Sequence, residues 1–171
     1  MTNRKGTMQK IRGFEKVSQD QYENNLVTKM FVHTPYEELK FPQRATLKSS
    51  GYDFFSPIAF ELYPGEIIKF PTGIRAYMLE DEELKIYVRS SMGFKYNVRL
   101  LNQVGKIDSD YYMNPDNEGH IWIGLKNEGD KIWKVNIGDK IAQGSFYKYL
   151  LADEDVPANI LRVGGIESTG K

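Results

Sequence analysis

The sequence predicts an all-β protein built as an antiparallel sandwich or barrel, and three observations lead to that prediction. Aromatic residues make up 13% of the 171 residues, with 11 Tyr and 9 Phe, and such side chains favour strands. The 15 Gly and 7 Pro are spread along the chain, as turn residues between short strands would be. Short apolar or alternating runs recur between these turn residues, and no segment shows a sustained helical period.

Seven segments have the apolar or alternating pattern of a strand, each followed by turn residues or a loop. The predicted strands are 58–62, 67–70, 74–78, 84–88, 121–125, 132–135 and 141–149. The segment after Arg89 predicts one or two helical turns, and residues 21–29 predict a further short helix. The acidic run at 80–83 is interpreted as a solvated hairpin loop, and residues 19–47 as a long loop or an irregular excursion.

Composition excludes several classes of function. Lys+Arg and Asp+Glu are both 23, so a net charge of zero does not favour binding to a nucleic-acid duplex. The absence of cysteine excludes thiol catalysis, thiolate metal sites and disulfides. No apolar run approaches the roughly 18 residues of a membrane span, and residues 1–7 are not followed by the apolar segment of a secretory signal. We expect a cytoplasmic protein with one domain over 1–151 and a flexible glycine-rich C-terminal arm over 152–171.

One segment, Asn102 to Tyr111, combines residue types that could bind and hydrolyse a nucleotide. Gly105 can form a tight hairpin whose backbone N–H and C=O groups pair with the edge of a nucleobase. Asp108 could activate a water, and Tyr111 could pack flat against a sugar. On residue types alone, a turn with a solvent-facing Asp108 explains the segment better. His33 and His120 lie far apart and do not predict a zinc site. Core or interface packing is the default interpretation of Trp122 and Trp133.

Five segments, in order, resemble the motifs of the trimeric dUTPase family. They are Ser50-Gly51-Tyr52-Asp53-Phe54, Val88-Arg89-Ser90-Ser91, the segment Asn102 to Tyr111, Gly138-Asp139-Lys140-Ile141-Ala142-Gln143, and the segment Arg162 to Gly170. Any one of them is a weak signal, but five in order with similar spacing are a strong one. From Ile11 onward the chain resembles the Gram-positive and phage branch of that family.

The resemblance implies a fold, an assembly and a reaction. The fold is a jelly-roll-like β-barrel with a flexible arm, and the assembly is a homotrimer whose active sites lie between subunits. The reaction is hydrolysis of dUTP to dUMP and pyrophosphate with Mg²⁺ as cofactor. By this resemblance, Asp108 is the general base for a water that attacks the α-phosphorus, and Asp53 holds a water of the Mg²⁺ shell.

The resemblance also assigns substrate contacts. Uracil would be held by the bend, through Asn102, Gly105, Lys106 and Ile107. Tyr111 would stack under the deoxyribose and exclude a 2′-hydroxyl. The phosphates would be contacted by Arg89, Ser90, Ser91, Gln143 and Arg162, and the arm would also contribute Ile166 and Ser168.

Several positions depart from the family pattern and keep other functions open. Ile166 replaces an aromatic residue that stacks on uracil, and Glu167 replaces a glycine, so we expect reduced arm-dependent turnover. Residues 112–117 are an insertion, interpreted as a turn on the rim. A dCTP deaminase is one alternative, but Gly124 stands where that enzyme has a glutamate. The other is a non-enzymatic or moonlighting dUTPase-like regulator that binds a protein partner. A plain structural β-domain would require all five motifs to be coincidence.

Overall fold

The computed structural model describes residues 10–24, 30–158 and 162–165. Within these ranges the chain forms twelve short strands and two short α-helices, which confirms the predicted all-β class. The strands are β1 (Gly13–Lys16), β2 (Gln43–Arg44), β3 (Tyr52–Phe55), β4 (Phe60–Leu62), β5 (Ile67–Pro71), β6 (Ile74–Tyr77), β7 (Glu82–Tyr87), β8 (Val98–Leu100), β9 (Gly105–Asp108), β10 (Trp122–Asn127), β11 (Trp133–Val135) and β12 (Lys140–Lys148). The helices are α1 (Gln19–Glu23) and α2 (Ser90–Tyr96). In the described part, no helix is long and apolar enough to cross a membrane.

Two sheets carry most of the fold. One has the strand order β2-β3-β12-β7-β9 and the other the order β5-β10-β8, while β1 pairs with β6 and β11 with β4. All of these pairings are antiparallel. The jelly-roll-like fold is confirmed, but over the described residues the strands form four separate sheets and not one closed barrel.

Alternation along the strands places the core on one side of each sheet. In β7, Leu84 and Ile86 are buried in the core, and in β10 Ile123 and Leu125 join the same cluster. The residues between them point to the opposite face, because successive side chains of a strand alternate. In β10 this outward face carries Trp122 and Gly124, which form part of a cavity.

The prediction of a solvated loop at 80–83 is wrong for Glu82 and Glu83. Glu82 and Glu83 begin β7 and are only 3% and 4% exposed. Arg12, seventy residues away in sequence, donates from Nε to both carboxylate oxygens of Glu82 at 3.0 Å, and Lys85 lies 2.9 Å from Glu83. Such pairing offsets the cost of burying a charge, so these carboxylates can lie inside the fold.

Residues 19–47 are also more ordered than the loop predicted for them. They contain α1, a 3₁₀ turn over Tyr36–Glu38, and β2. Tyr22 of α1 is fully buried in a small cluster with Val17 and Leu39. The predicted helix at 21–29 is confirmed only as α1, and its residues 25–29 lie outside the described part. The helix predicted after Arg89 is confirmed as α2.

The bend before Gly105 differs from the hairpin predicted there. A hairpin would pair β8 with β9, but β8 pairs with β10 and β9 pairs with β7. The bend itself is closed by the Gln103 N–H, which donates to the Leu100 carbonyl at 3.1 Å. In the described part of the chain, β8 and β9 are therefore edge strands of two different sheets, and edge strands present backbone groups with no partner in their own sheet.

Candidate active site

A cavity of about 380 Å³ opens where the edges of β8 and β9 separate. Asn102 and Gly105 line it from the bend, and Ile107 lines it from β9. Its wall is the outward face of β10, where Trp122 and Gly124 lie. We call this cavity the slot. Its size falls within the range of small-molecule sites, and its lining combines apolar side chains with the backbone of two strand edges.

Asp108 lies at the end of β9 and lines the slot. Its side chain is 37% exposed, and both oxygens face cations. Oδ2 accepts from Arg162 Nη2 at 2.7 Å, and Lys106 Nζ lies 3.5 Å from Oδ1. Arg162 also donates from Nε to Asp110 Oδ1 at 2.7 Å. A carboxylate held in this way at the edge of the slot can accept a proton from a water.

Tyr111 is held rigidly beside Asp108. Its hydroxyl donates to the His120 carbonyl at 2.9 Å and accepts from Asn117 Nδ2 at 2.8 Å, and burial raises the pKa of Tyr111. The predicted rim turn at 112–117 is an incomplete description, because Asn114 within it is buried and donates to the Tyr111 carbonyl at 2.8 Å. The insertion therefore supports Tyr111 from below.

Residues 162–165, the described end of the arm, lie against Tyr111 and the 112–117 insertion. The Asp116 N–H donates to the Val163 carbonyl at 3.2 Å, and Gly165 packs so closely on Tyr111 that a Cβ there would be 2.7 Å from the hydroxyl oxygen. Within the single chain, residues 162–165 thus cover its own Tyr111 and Asp108. The predicted contacts of Ile166 and Ser168 fall outside the described residues.

A second group of predicted residues lies on β3, α2 and β12. Asp53 is 4% exposed, and its Oδ1 and Oδ2 lie 2.9 Å from Arg89 Nε and 2.8 Å from Lys140 Nζ. Gln143 lies opposite Asp53 in the ladder and donates to the Val88 carbonyl at 3.3 Å. We call this group the cationic cluster. Its members are Asp53, Arg89, Ser90, Ser91, Lys140 and Gln143.

The structure does not bring the slot and the cationic cluster together within one chain. Gln143 lies opposite Tyr87 on β7, whereas Asp108 lies opposite Glu83 on the other edge of the same strand. Two interstrand spacings, together with the rise of four residues along the strand, place Gln143 and Asp108 roughly 16 Å apart. The predicted site residues therefore divide into two groups. The slot contains Asn102, Gly105, Lys106, Ile107, Asp108, Tyr111 and Arg162, and the cationic cluster contains the remaining described ones.

Sequence reasoning missed some residues of the slot. Trp122 lines it and is only partly buried, so it is not a core residue, whereas Trp133 is buried against Phe60 as predicted. The alternation in β10 could have revealed Trp122, because it shares a strand face with Gly124. Lys69, opposite Gly124 in the ladder, also lines the slot. Among the described residues of the lining, Asp108 is the only carboxylate.

His120 takes no part in the slot's lining and has no metal-ligand partners in the described part of the chain. It is fully buried, and its Nε2 accepts the Gly73 N–H at 2.8 Å. Burial lowers the pKa of His120 to about 4. The ring is therefore neutral at physiological pH and serves as a structural acceptor under Tyr111.

Comparison with known proteins points to a single family. The dUTPase family model matches residues 37–158. A deoxyuridine 5′-triphosphate nucleotidohydrolase from Lactococcus lactis is 40% identical over 162 residues, which cover 94% of this chain and 99% of that protein. The crystal structure of dUTPase from Streptococcus mutans matches with a TM-score of 0.64 and 35% identity, over 82% of this chain and 98% of that one.

A more distant structural match shares the fold only. It is a point mutant of the dUTPase from phage phi11 of S. aureus, described with a structural Mg(II) ion, with a TM-score of 0.61 and 17% identity over 88% of this chain and 99% of that one. The Lactococcus and Streptococcus relatives agree with the Gram-positive branch that the sequence predicted.

Proposed function

This chain belongs to the dUTPase family, and on that premise we propose that it hydrolyses dUTP to dUMP and pyrophosphate. One observation supports the proposal most strongly. The slot between two strand edges has Asp108 as the single carboxylate of its described lining. A site of this form offers backbone recognition of a planar base next to one group able to accept a proton.

Recognition of uracil would rest on the strand edges of the slot, which have no partner strand among the described residues. Backbone N–H and C=O groups near Gly105 would pair with the O4, N3–H and O2 edge of the base, and the Asn102 amide would add a donor and an acceptor. The close walls would exclude the methyl group of thymine. Tyr111, held by two hydrogen bonds, would form a rigid support under the deoxyribose that leaves no room for a 2′-hydroxyl.

Asp108 would act as the general base. It would take a proton from a water as the water oxygen bonds to the α-phosphorus, in line with the departing pyrophosphate oxygen. Correct placement of that water would be the main contribution of this carboxylate. Because Arg162 now occupies Asp108 Oδ2, we propose that the guanidinium moves to the phosphates when substrate binds, where bidentate contacts are favourable.

The donor set of the cationic cluster fits Mg²⁺ bound together with the nucleotide. Mg²⁺ prefers oxygen ligands, keeps waters, and is commonly held by one or two carboxylates plus substrate phosphates. Asp53 is a buried carboxylate among cations, and each of its oxygens retains a lone pair that can accept from a metal-bound water. When bound, Mg²⁺ neutralises charge on the phosphates and assists the leaving group.

The separation of the two groups supports a shared site. A triphosphate on a nucleoside in the slot would have Arg89, Ser90, Ser91 and Gln143 supplied by a second subunit. We therefore propose a homotrimer, with each site built at a subunit interface. The described end of the arm covers its own chain's Tyr111.

The alternatives have less support. Deamination of dCTP would need a carboxylate at position 124, and Gly124 supplies no side chain to the slot wall. Binding of a regulatory protein partner stays a prediction that no contact among the described residues favours. The cytoplasm is the compartment we propose, because it holds the nucleotides on which the enzyme would act.

The test is pyrophosphate release from dUTP, dCTP, dTTP and UTP by the wild-type protein, Asp108→Asn and Asp110→Asn. We expect turnover of dUTP alone. Loss of a general base should lower kcat by roughly 10²–10⁴-fold in Asp108→Asn. Asp110→Asn is the matched control, because Asp110 also binds Arg162 but does not line the slot. Undiminished turnover by Asp108→Asn would contradict the mechanism, and absence of wild-type turnover would contradict the function.

A further inference from the structure

One buried carboxylate beside the slot, that of Glu83, takes no part in the proposed mechanism. Glu83 is 4% exposed and lies directly opposite Asp108 in the ladder between β7 and β9. Directly opposed residues in an antiparallel pair share one face of the sheet, and like charges there repel each other. A buried acid next to the proposed general base is therefore unfavourable unless something lies between the two.

Lys106 lies between them. Its Nζ is 3.4 Å from Glu83 Oε2 and 3.5 Å from Asp108 Oδ1. The other oxygen of Glu83 is 2.9 Å from Lys85 Nζ, and this contact is the largest cause of a lowered pKa for Glu83. Glu83 is therefore a fixed negative charge at neutral pH, anchored by Lys85 and aimed at Lys106.

The position of Lys106 gains importance when Arg162 leaves. In the structure, Asp108 has Arg162 on one oxygen and Lys106 on the other. If Arg162 moves to the phosphates, Lys106 is the remaining cation beside Asp108 among the described residues. The side chain of Lys106 is 59% exposed, and a lysine so exposed has many rotamers available. An anchor is needed to keep its ammonium group at Asp108.

We propose that Glu83 is a positioning residue that holds Lys106 against Asp108, so that the carboxylate keeps the orientation from which it receives the proton of the attacking water. This inference rests on the proposed function of Asp108. Glu83 itself touches neither substrate nor water in this role. It acts through Lys106, and its effect should appear in kcat and not in substrate binding.

The neighbouring glutamate provides a matched control. Glu82 is equally buried, at 3% exposed, and is ion-paired to Arg12, but it makes no contact with Lys106 or Asp108 among the described residues. Glu83→Gln and Glu82→Gln therefore remove the same charge from adjacent buried positions. We expect Glu83→Gln to lower kcat for dUTP about tenfold, which corresponds to about 1.4 kcal/mol, while KM stays within about twofold. Glu82→Gln should leave kcat unchanged.

A double-mutant cycle tests the route through Lys106. Lys106→Met should lower kcat as much as Glu83→Gln, and the double variant should be no slower than either single variant. Lys106→Arg should retain most of the activity, because it keeps a cation between the two carboxylates. Additive losses in the double variant would overturn the proposal, as would equal kcat values for Glu83→Gln and Glu82→Gln.

Two further measurements separate this role from a structural one. Thermal unfolding reports whether each variant folds, and calorimetric binding of the α,β-imido analogue of dUTP reports whether the slot is intact. A fall of analogue affinity parallel to kcat in Glu83→Gln would also overturn the proposal. Turnover by Asp108→Asn at the wild-type rate would instead refute the proposed function. If Asp108→Asn is inactive while Glu83→Gln matches Glu82→Gln, only the role of Glu83 fails.

Discussion

Removal of one hydroxyl group, by Tyr111→Phe, separates the structural role of this residue from its proposed role in sugar binding. The Tyr111 hydroxyl satisfies the carbonyl of the fully buried His120 and accepts from Asn117. Phenylalanine keeps the ring but leaves the carbonyl without a donor. We therefore expect a loss of stability without a loss of sugar discrimination.

The size of the effect follows from these contacts. A buried acceptor left without its hydrogen bond costs about 1–3 kcal/mol. In a protein of this length, each kcal/mol lowers Tm by about 2–4 °C, so about 2 kcal/mol predicts a fall of about 4–8 °C. The ratio of kcat/KM for dUTP to that for UTP should be unchanged, because the ring still fills the space beside C2′.

Tyr112→Phe is the control. Its hydroxyl donates to Glu15 Oε2 at 2.8 Å, but Glu15 keeps ion pairs with Lys10 and Arg75, so removal of this hydroxyl leaves no buried group unpaired. Differential scanning calorimetry of the two variants gives the comparison. Equal Tm values for Tyr111→Phe and Tyr112→Phe would refute the reasoning about the buried carbonyl.

Three other predictions address the fold, the arm and the assembly. His120 has its ordinary pKa of 6.5 in the unfolded chain, whereas burial lowers its pKa to about 4 in the folded protein. The contribution of neutral His120 to the free energy of unfolding is therefore fully present above pH 6.5, and about 3 kcal/mol of it is lost on acidification to below pH 4. Urea unfolding of wild type and His120→Gln between pH 7 and 4 checks this, and identical pH dependence in both would contradict it. Gly165→Ala places a Cβ 2.9 Å from Tyr111 Cε2, so it should raise KM roughly tenfold without changing Tm, and an unchanged KM in steady-state kinetics would show that the arm does not dock there. Arg89→Ala and Asp108→Asn should each be inactive alone, whereas co-expressed subunits should recover activity in about a quarter of the sites if sites are shared; a mixture as inactive as its parents would exclude shared sites.

Local sequence pattern was sufficient for much of the fold. The alternation in 121–125 and 141–149 corresponds to β10 and β12, and the segment after Arg89 forms α2. Prediction failed where a distant partner decided the outcome. Glu82 is buried because Arg12, seventy residues earlier, reaches it, and an acidic run contains no sign of that cation. In the same way, the local sequence of the bend at Gly105 does not indicate that its two flanking strands belong to different sheets.

The site shows the same division between local and long-range information. The residues of the five motifs could be named from the sequence only through their resemblance to the dUTPase family, because on residue types alone a turn with a solvent-facing Asp108 explained the segment better. Their separation into a slot and a cationic cluster could not be predicted, because it depends on which edge of β7 pairs with β9 and which pairs with β12. Lys106 was predicted only as part of the bend, and its position between Glu83 and Asp108 appears only in three dimensions.

The most direct test of the central claim is a crystal structure of the protein with the α,β-imido analogue of dUTP. We predict uracil in the slot beside Gly105 and the α-phosphorus facing Asp108. We also predict that the phosphate chain reaches Arg89 of a neighbouring subunit. An analogue bound away from the slot, or one whose α-phosphorus lies beyond the reach of a water on Asp108, would contradict the account.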